Sequence, residues 1–326
     1  MAYLSGTVSN FQDLKSAIEN ACTSNGWALN SGVLSKGDCF IKLVANPSTA
    51  TTPAPNQNER YKLAAYPGTT SSNFDTLNQA CIINPINNPT GAIQFPLTYE
   101  ISIFDNPSEV HVVVKYNSDF YQFLAWGKSD IPGIGGTGLW LTGSSGWLLD
   151  GGGASANIAN VSISTGFQDV GAANNAGIAL PYFFDNRGGS SSYRVYNGSH
   201  IHTGLDSVGW KSSRNANPNR AYGSGSTIAM LLTSLPNLMS QAAVLLPCRV
   251  MQWRNDGGVT IVANIRNVRL TRNDNIRPGE IIAYGSERWK VYPMYRKDSS
   301  SRDGGGGTTG VLHSGTYAIA IRYEGA

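Results

Sequence analysis

Hydrophobic and polar positions change period several times along the chain. Phe11, Leu14, Ile18 and Ala21/Cys22 recur at helical spacing and form one apolar stripe. Ser9 with Gln12 three residues later has a capping-box pattern, and Gly26 follows as a stop, so a helix is predicted over 9–24. Trp27-Ala28-Leu29 begins an extended piece. Val33-Leu34 and the run Cys39 to Val44 flank Ser35-Lys36-Gly37-Asp38, which predicts a hairpin. A weaker helix is predicted from Ser72 to Ala80, with Phe74, Leu77 and Cys81 on one side. Pro85, Pro89 and Pro96 exclude a central strand over 84–96.

The period then changes to two. Leu97 to Phe104, Val110 to Tyr116 and Phe120 to Trp126 predict three consecutive antiparallel strands, joined by Asp105-Asn106-Pro107-Ser108 and Asn117-Ser118-Asp119. Val110, Val112, Val114 and Tyr116 share one face, and Leu124 and Trp126 are expected to pair across from them. From Gly127 to about Gly223 the periodicity fades, with short extended pieces expected at 161–165, 178–184 and 193–196. Strands resume at Val244–Trp253 and Val259–Ile265 around Asn255-Asp256-Gly257-Gly258. They continue at 280–284 and 288–292 around Gly285-Ser286, and end with the alternating 315–323. The fold class is mainly β: antiparallel sheets, sandwich-like, with an N-terminal helix and long Gly/Ser/Asn-rich loops. The expected organisation is a scaffold of helix and sheet over 1–127, a loop-rich insertion or second domain over 128–223, and strands completing the scaffold over 224–326.

Composition narrows the function classes. Gly, Ser and Asn together make up 100 of 326 residues, and only 14% of residues are charged, against about 25% in an average soluble domain. Hydrophobic content of 41% argues against wholesale disorder, and no coiled-coil pattern is present. A net charge of +3 gives no basis for a nucleic-acid partner. The most apolar stretch, 227–247, is broken by Pro236, Asn237, Ser240 and Gln241, so no membrane insertion is expected. Cys22, Cys39, Cys81 and Cys248 have neither zinc-like pairs nor the density of a disulfide framework, and read as buried thiols. The first residues show no signal-peptide pattern. Folding in a cytoplasm is therefore expected, although the sparse charge resembles that of an extracellular surface.

Candidate chemistry is thin. A glycosidase needs two carboxylates facing one cleft. Glu100 and Glu109 lie near the 97–116 strands, where solvated sheet-face positions are the simpler expectation. Gly143-Ser144-Ser145-Gly146 falls one position short of a nucleophile elbow. Gly133 to Gly138 lacks the βαβ unit that a dinucleotide fingerprint requires. No catalytic residue and no cofactor are therefore expected. His200 and His202 are the one metal-like feature: on a strand both rings would project to one face, able to share an ion. The plainer alternative is two polar side chains at a strand edge, and no metal is assigned. Trp140 and Trp147 lie in Gly-rich sequence, where a ring can face a ligand or a neighbouring subunit, or plug its loop onto a core. Both are expected to form a contact surface.

Several blocks together carry a resemblance. They are YLSGTVSNFQDLKSAIENACTSNGWAL with SKGDCFIKL, then PSEVHVVVKYNSDFYQFLAWGKS with IPGIGGTGLWLTG, and GEIIAYGSERWKVYPMYRK with SGTYAIAIRYEG. The chain resembles virion structural proteins of tailed bacteriophages, from the tail, baseplate or fibre region. The resemblance covers about half the chain and has no catalytic signature. It implies a virion location after assembly in the host cytoplasm, which accounts for an outer-surface composition without an export signal. It also implies partners: further copies of the chain, as a trimer or hexamer, and other tail proteins. The alternative implied role is host-surface recognition, with a glycan bound at the Trp140/Trp147 loops.

Overall fold

A computed structural model describes residues 1–45, 63–74, 80–83, 94–144, 181–183, 199–212, 221–223, 243–300 and 313–325. Several sequence expectations lie outside these residues: residues 84–93, the pieces at 161–165 and 193–196, Trp147, and the apolar stretch up to residue 242. The chain is mainly β, and its described residues form three antiparallel sheets and one helix near the N-terminus.

Helix α1 runs Phe11–Thr23. Its cap is one residue later than predicted. Asn10 Oδ1 accepts from Asp13 N at 2.8 Å, and Asn10 Nδ2 donates to Asp13 Oδ2 at 2.7 Å. Asp13 also places a negative charge in the first turn, where the helix dipole favours it. Phe11, Leu14, Ile18, Ala21 and Cys22 are buried, as the stripe predicts.

An N-terminal sheet contains β2 (Ala28–Asn30), β3 (Val33–Lys36), β4 (Cys39–Ala45), β5 (Leu63–Gly68) and β6 (Ala80–Ile83), in chain order. The predicted 33–44 hairpin is β3–β4, closed at Lys36 opposite Cys39. The helix predicted over 72–80 differs: Phe74 bridges Gly68 and Ala80 begins β6, with 75–79 outside the described residues.

The central sheet has seven strands in the order β1-β7-β8-β9-β10-β11-β12. These are β1 (Ala2–Val8), β7 (Leu97–Asp105), β8 (Ser108–Tyr116), β9 (Phe120–Lys128), β10 (Leu139–Gly143), β11 (Ser199–Thr203) and β12 (Gly209–Ser212). The predicted pairing holds: Val112 lies opposite Leu124 and Val110 opposite Trp126. Asn117 and Ser118 turn the chain with φ of 42° and 78°. The C-terminal sheet has the order β13-β14-β15-β18-β17-β16, from β13 (Ala221–Gly223), β14 (Leu246–Trp253), β15 (Val259–Arg272), β16 (Ile281–Tyr284), β17 (Glu287–Pro293) and β18 (Tyr317–Arg322). The last strand is not an edge; it pairs with both β15 and β17.

The central sheet is covered on both faces. On one face α1 and the N-terminal sheet approach it; Trp27 meets Trp126 edge-on at 6.2 Å, and both are buried. On the other face lies the C-terminal sheet, with Phe123 and Tyr121 against Tyr292 at 6.3 and 6.0 Å. Hence β9 is buried along nearly its whole length, and Phe120 to Trp126 read as a continuous run rather than an alternating one. Each fully buried apolar side chain there contributes about 1.5–3 kcal/mol. The described part of 128–223 supplies β10–β12 to the central sheet and β13 to the C-terminal sheet. Residues 181–183 were expected to be extended; they form a turn, with Tyr182 and Phe183 at φ of 59° and 57°.

Candidate functional site

The face of the central sheet toward the C-terminal sheet carries an unexpected polar cluster. Glu109 begins the inner part of β8, and alternation brings His111 to the same face. Both are fully buried. His111 Nε2 lies 3.1 Å from Glu109 Oε2, and His111 Nδ1 lies 3.1 Å from the Tyr182 hydroxyl. A carboxylate only accepts, so Nε2 carries the hydrogen. Glu109 also accepts from Arg266 N at 2.8 Å, Asn267 N at 3.1 Å and Asn267 Nδ2 at 2.9 Å. Burial, then the nearby Cys248 and Glu109, push the Tyr182 phenol well above its ordinary range and keep it protonated.

The order carboxylate–imidazole–phenol looks like a proton relay, but its geometry serves docking. Over 259–267, β15 pairs with β14 and, among the described residues, has no strand partner on its other side. Glu109 occupies that side and satisfies two of its N–H groups. Asp130 accepts from Asn264 N at 3.3 Å, and Ser129 Oγ donates to Val262 O at 2.6 Å. Side chains of β8 and the segment after β9 thus close the edge that a further strand would otherwise cover. At its other end, the cluster holds the 181–183 turn. Thr142 Oγ1 accepts from Tyr182 N, Ser199 Oγ accepts from Phe183 N at 3.2 Å, and Gly223 N donates to Phe183 O at 2.7 Å. A left-handed backbone at two bulky residues persists because the surroundings over-determine it. Gly223 has no room for a side chain, since a Cβ would sit 2.5 Å from Phe183 O.

Glu100, the other carboxylate considered from the sequence, points to the same face from β7 and is 20% exposed. Its Oε2 accepts from Tyr3 and Tyr292 hydroxyls and from Lys290 Nζ, each at 2.6 Å. Burial, and then the Glu100 contact, raise both phenols. Burial works against the Lys290 charge, but the Glu100 and Tyr3 hydrogen bonds prevail and raise it. The cluster ties β1 and β7 to β17. Neither Glu100 nor Glu109 is the solvated sheet-face carboxylate that the sequence suggests.

The sequence candidates also turn inward. Trp140 is fully buried in β10, packed 6.1 Å from His111 and over Gly127, where a Cβ would lie 2.6 Å from its ring. It is a core side chain, not a ring facing a ligand from a loop. Trp147 is outside the described residues. His200 and His202 do share a face of β11, but that strand is interior, between β10 and β12, and both side chains are buried. His202 Nδ1 accepts from Thr137 N at 3.0 Å, and its ring packs on Trp210 at 5.1 Å, so His202 serves to seat the Gly-rich 133–138 loop. Among the described residues, no group of three or more His, Cys, Asp or Glu is placed to hold a metal. None of their helices is long and apolar enough to cross a membrane.

Among the described residues, three strands that end their sheets carry no charge and expose apolar side chains. Edge strand β1, AYLSGTV, exposes Leu4; edge strand β2, ALN, exposes Leu29; edge strand β16, IIAY, exposes Ile281 and Tyr284. Sequence reasoning missed both the Glu109 dock and these edges. The only sign of the first is two polar residues, Glu109 and His111, alternating within an apolar strand. No family model matches the chain, and no curated protein matches it.

Proposed function

We propose that the chain is a non-enzymatic structural component of a tailed-phage virion, in its tail, baseplate or fibre-attachment region. In this role it assembles with further copies of itself, as a trimer or hexamer, and with other virion proteins. The observation that carries the assembly part is that β1, β2 and β16, which end their sheets among the described residues, carry no charged residue and expose apolar side chains. Proteins that must remain monomeric blunt such edges with charge, proline or a covering segment. The inward use of Glu100, Glu109, His111, His200 and His202 supports a role in holding sheets together rather than in chemistry on a substrate. The sequence blocks quoted above support the virion part. A host-recognition role at Trp140 has less support, because that ring is sealed in the core.

Co-sedimentation tests the proposal. Particles purified on a density gradient from infected lysate are expected to carry the chain at a fixed copy number per particle. Recovery of the chain only in the soluble fraction would overturn it.

A further inference from the structure

We infer that β16 is a seam through which two copies of the chain join, by antiparallel strand pairing about a twofold axis at Ile282. The inference rests on the self-association part of the proposed function and names its geometry.

Backbone polarity comes first. Val291 N donates to Glu280 O, and Ile282 lies opposite Trp289 in the same register. Antiparallel pairs alternate between bonded and non-bonded, so the Glu280 carbonyl and both backbone groups of Ile282 and Tyr284 point inward to β17, while Glu280 N donates to Arg277 O in the preceding turn. Ile281 and Ala283 direct theirs outward, where β16 ends the sheet among the described residues. A strand is the partner that completes such an edge.

Side chains identify that strand as a second copy. Directly opposed residues in a sheet share a face, and outward-bonding residues must oppose one another. Both conditions hold when Ile281 meets Ala283 of the second copy and Ile282 meets itself on the axis. The same register sets Glu280, the one charged residue flanking the strand on that side, against the Tyr284 hydroxyl of the second copy. No like charges are opposed, which self-pairing must avoid. Tyr284 is 67% exposed and Ile281 41%, so both have apolar surface to lose.

The core continues across the seam. On the outer face of the C-terminal sheet, Ile276, Trp289, Val291, Ala318 and Ala320 form a small buried cluster separate from the main core, with Ile282 packed partly against it. Ile282 on the twofold axis brings the clusters of two copies edge to edge. An isologous twofold of this kind is compatible with a hexamer built as a trimer of dimers, but not with a plain trimer.

Cross-linking and mass together test the seam. At a non-bonded pair, opposed Cα atoms lie about 4.5 Å apart, within reach of a disulfide. Ile282→Cys is therefore expected to form a covalent dimer under mild oxidation, and Leu4→Cys on the β1 edge is not. The wild type is the background control, with Cys22, Cys39 and Cys248 buried. Ala283→Pro removes only an outward N–H, and Ala283→Lys adds a charge beside the axis. Each is expected to halve the particle mass seen by light scattering, with an unchanged circular dichroism spectrum. Wild-type mass in a folded Ala283→Lys variant, absence of the Ile282→Cys dimer, or a monomeric wild type would overturn the seam. If another oligomer persists without these effects, the seam falls while the proposed function stands.

Discussion

Removing the Glu109 carboxylate tests whether the buried cluster is a dock between sheets. Glu109→Ala strands Asn267 N, Asn267 Nδ2 and His111 Nε2 without their acceptor inside the core, and Arg266 N at its margin. An unsatisfied buried donor costs about 1–3 kcal/mol. Three fully buried ones set a lower figure of about 3 kcal/mol, and water entering the vacated space limits the upper one to about 5 kcal/mol. That is a large share of a total stability of about 5–15 kcal/mol. Glu109→Gln keeps one acceptor oxygen but turns an amide N–H₂ toward other donors, so it is expected to fall between the wild type and Glu109→Ala. The assay is guanidinium unfolding at pH 7 followed by tryptophan fluorescence, with the midpoint shift converted at constant m. Asp38→Asn is the control, because the Asp38–Lys128 pair is largely solvent-exposed and worth under about 1 kcal/mol. A Glu109→Ala protein within 1 kcal/mol of the wild type, at equal m, would refute the dock.

Other perturbations have equally definite outcomes. Trp140→Ala empties a fully buried site and is expected to cost about 3–5 kcal/mol, read as a lower thermal midpoint; near-normal stability would return Trp140 to the surface. Gly127→Ala forces a methyl into the Trp140 ring and Ser108 O, both 2.6 Å from the added atom, and is expected to cost about 1–3 kcal/mol in the same assay. Burial pushes the Cys22 and Cys39 thiols up to about 12, so native protein at pH 8 should resist alkylation at both. These raised groups stabilise the fold fully below their unfolded value of about 8.5. That contribution is lost as pH rises toward 12, so the unfolding midpoint should fall across this range, and a flat profile would contradict it.

Much of the scaffold was legible in the sequence, because strict alternation and turn chemistry are local signals. The register of Val110 and Val112 against Trp126 and Leu124 follows from the Asn117–Asp119 turn and the period of two. The one-residue cap error has a local cause too: Asn10 and Asp13 satisfy one another as Ser9 and Gln12 would, and the sequence contains both pairs. Layering was not legible. Whether Glu109 and His111 face water or a second sheet depends on the C-terminal sheet, which begins more than a hundred residues later. The same holds for Trp140, whose Gly-rich setting suggests a loop, whereas β9 and β11 enclose it as a strand. Tyr182 and Phe183 were hidden because bulky residues rarely adopt a left-handed backbone, and only tertiary contacts hold them there.

The virion role is tested most directly by a cryo-electron density map of the purified particle. The account predicts that the three-sheet body, with the helix-bearing N-terminal sheet on one face of the central sheet and the C-terminal sheet on the other, fits repeated density around a threefold or sixfold tail axis. A complete map of tail, baseplate and fibres in which no density accepts that body would contradict it.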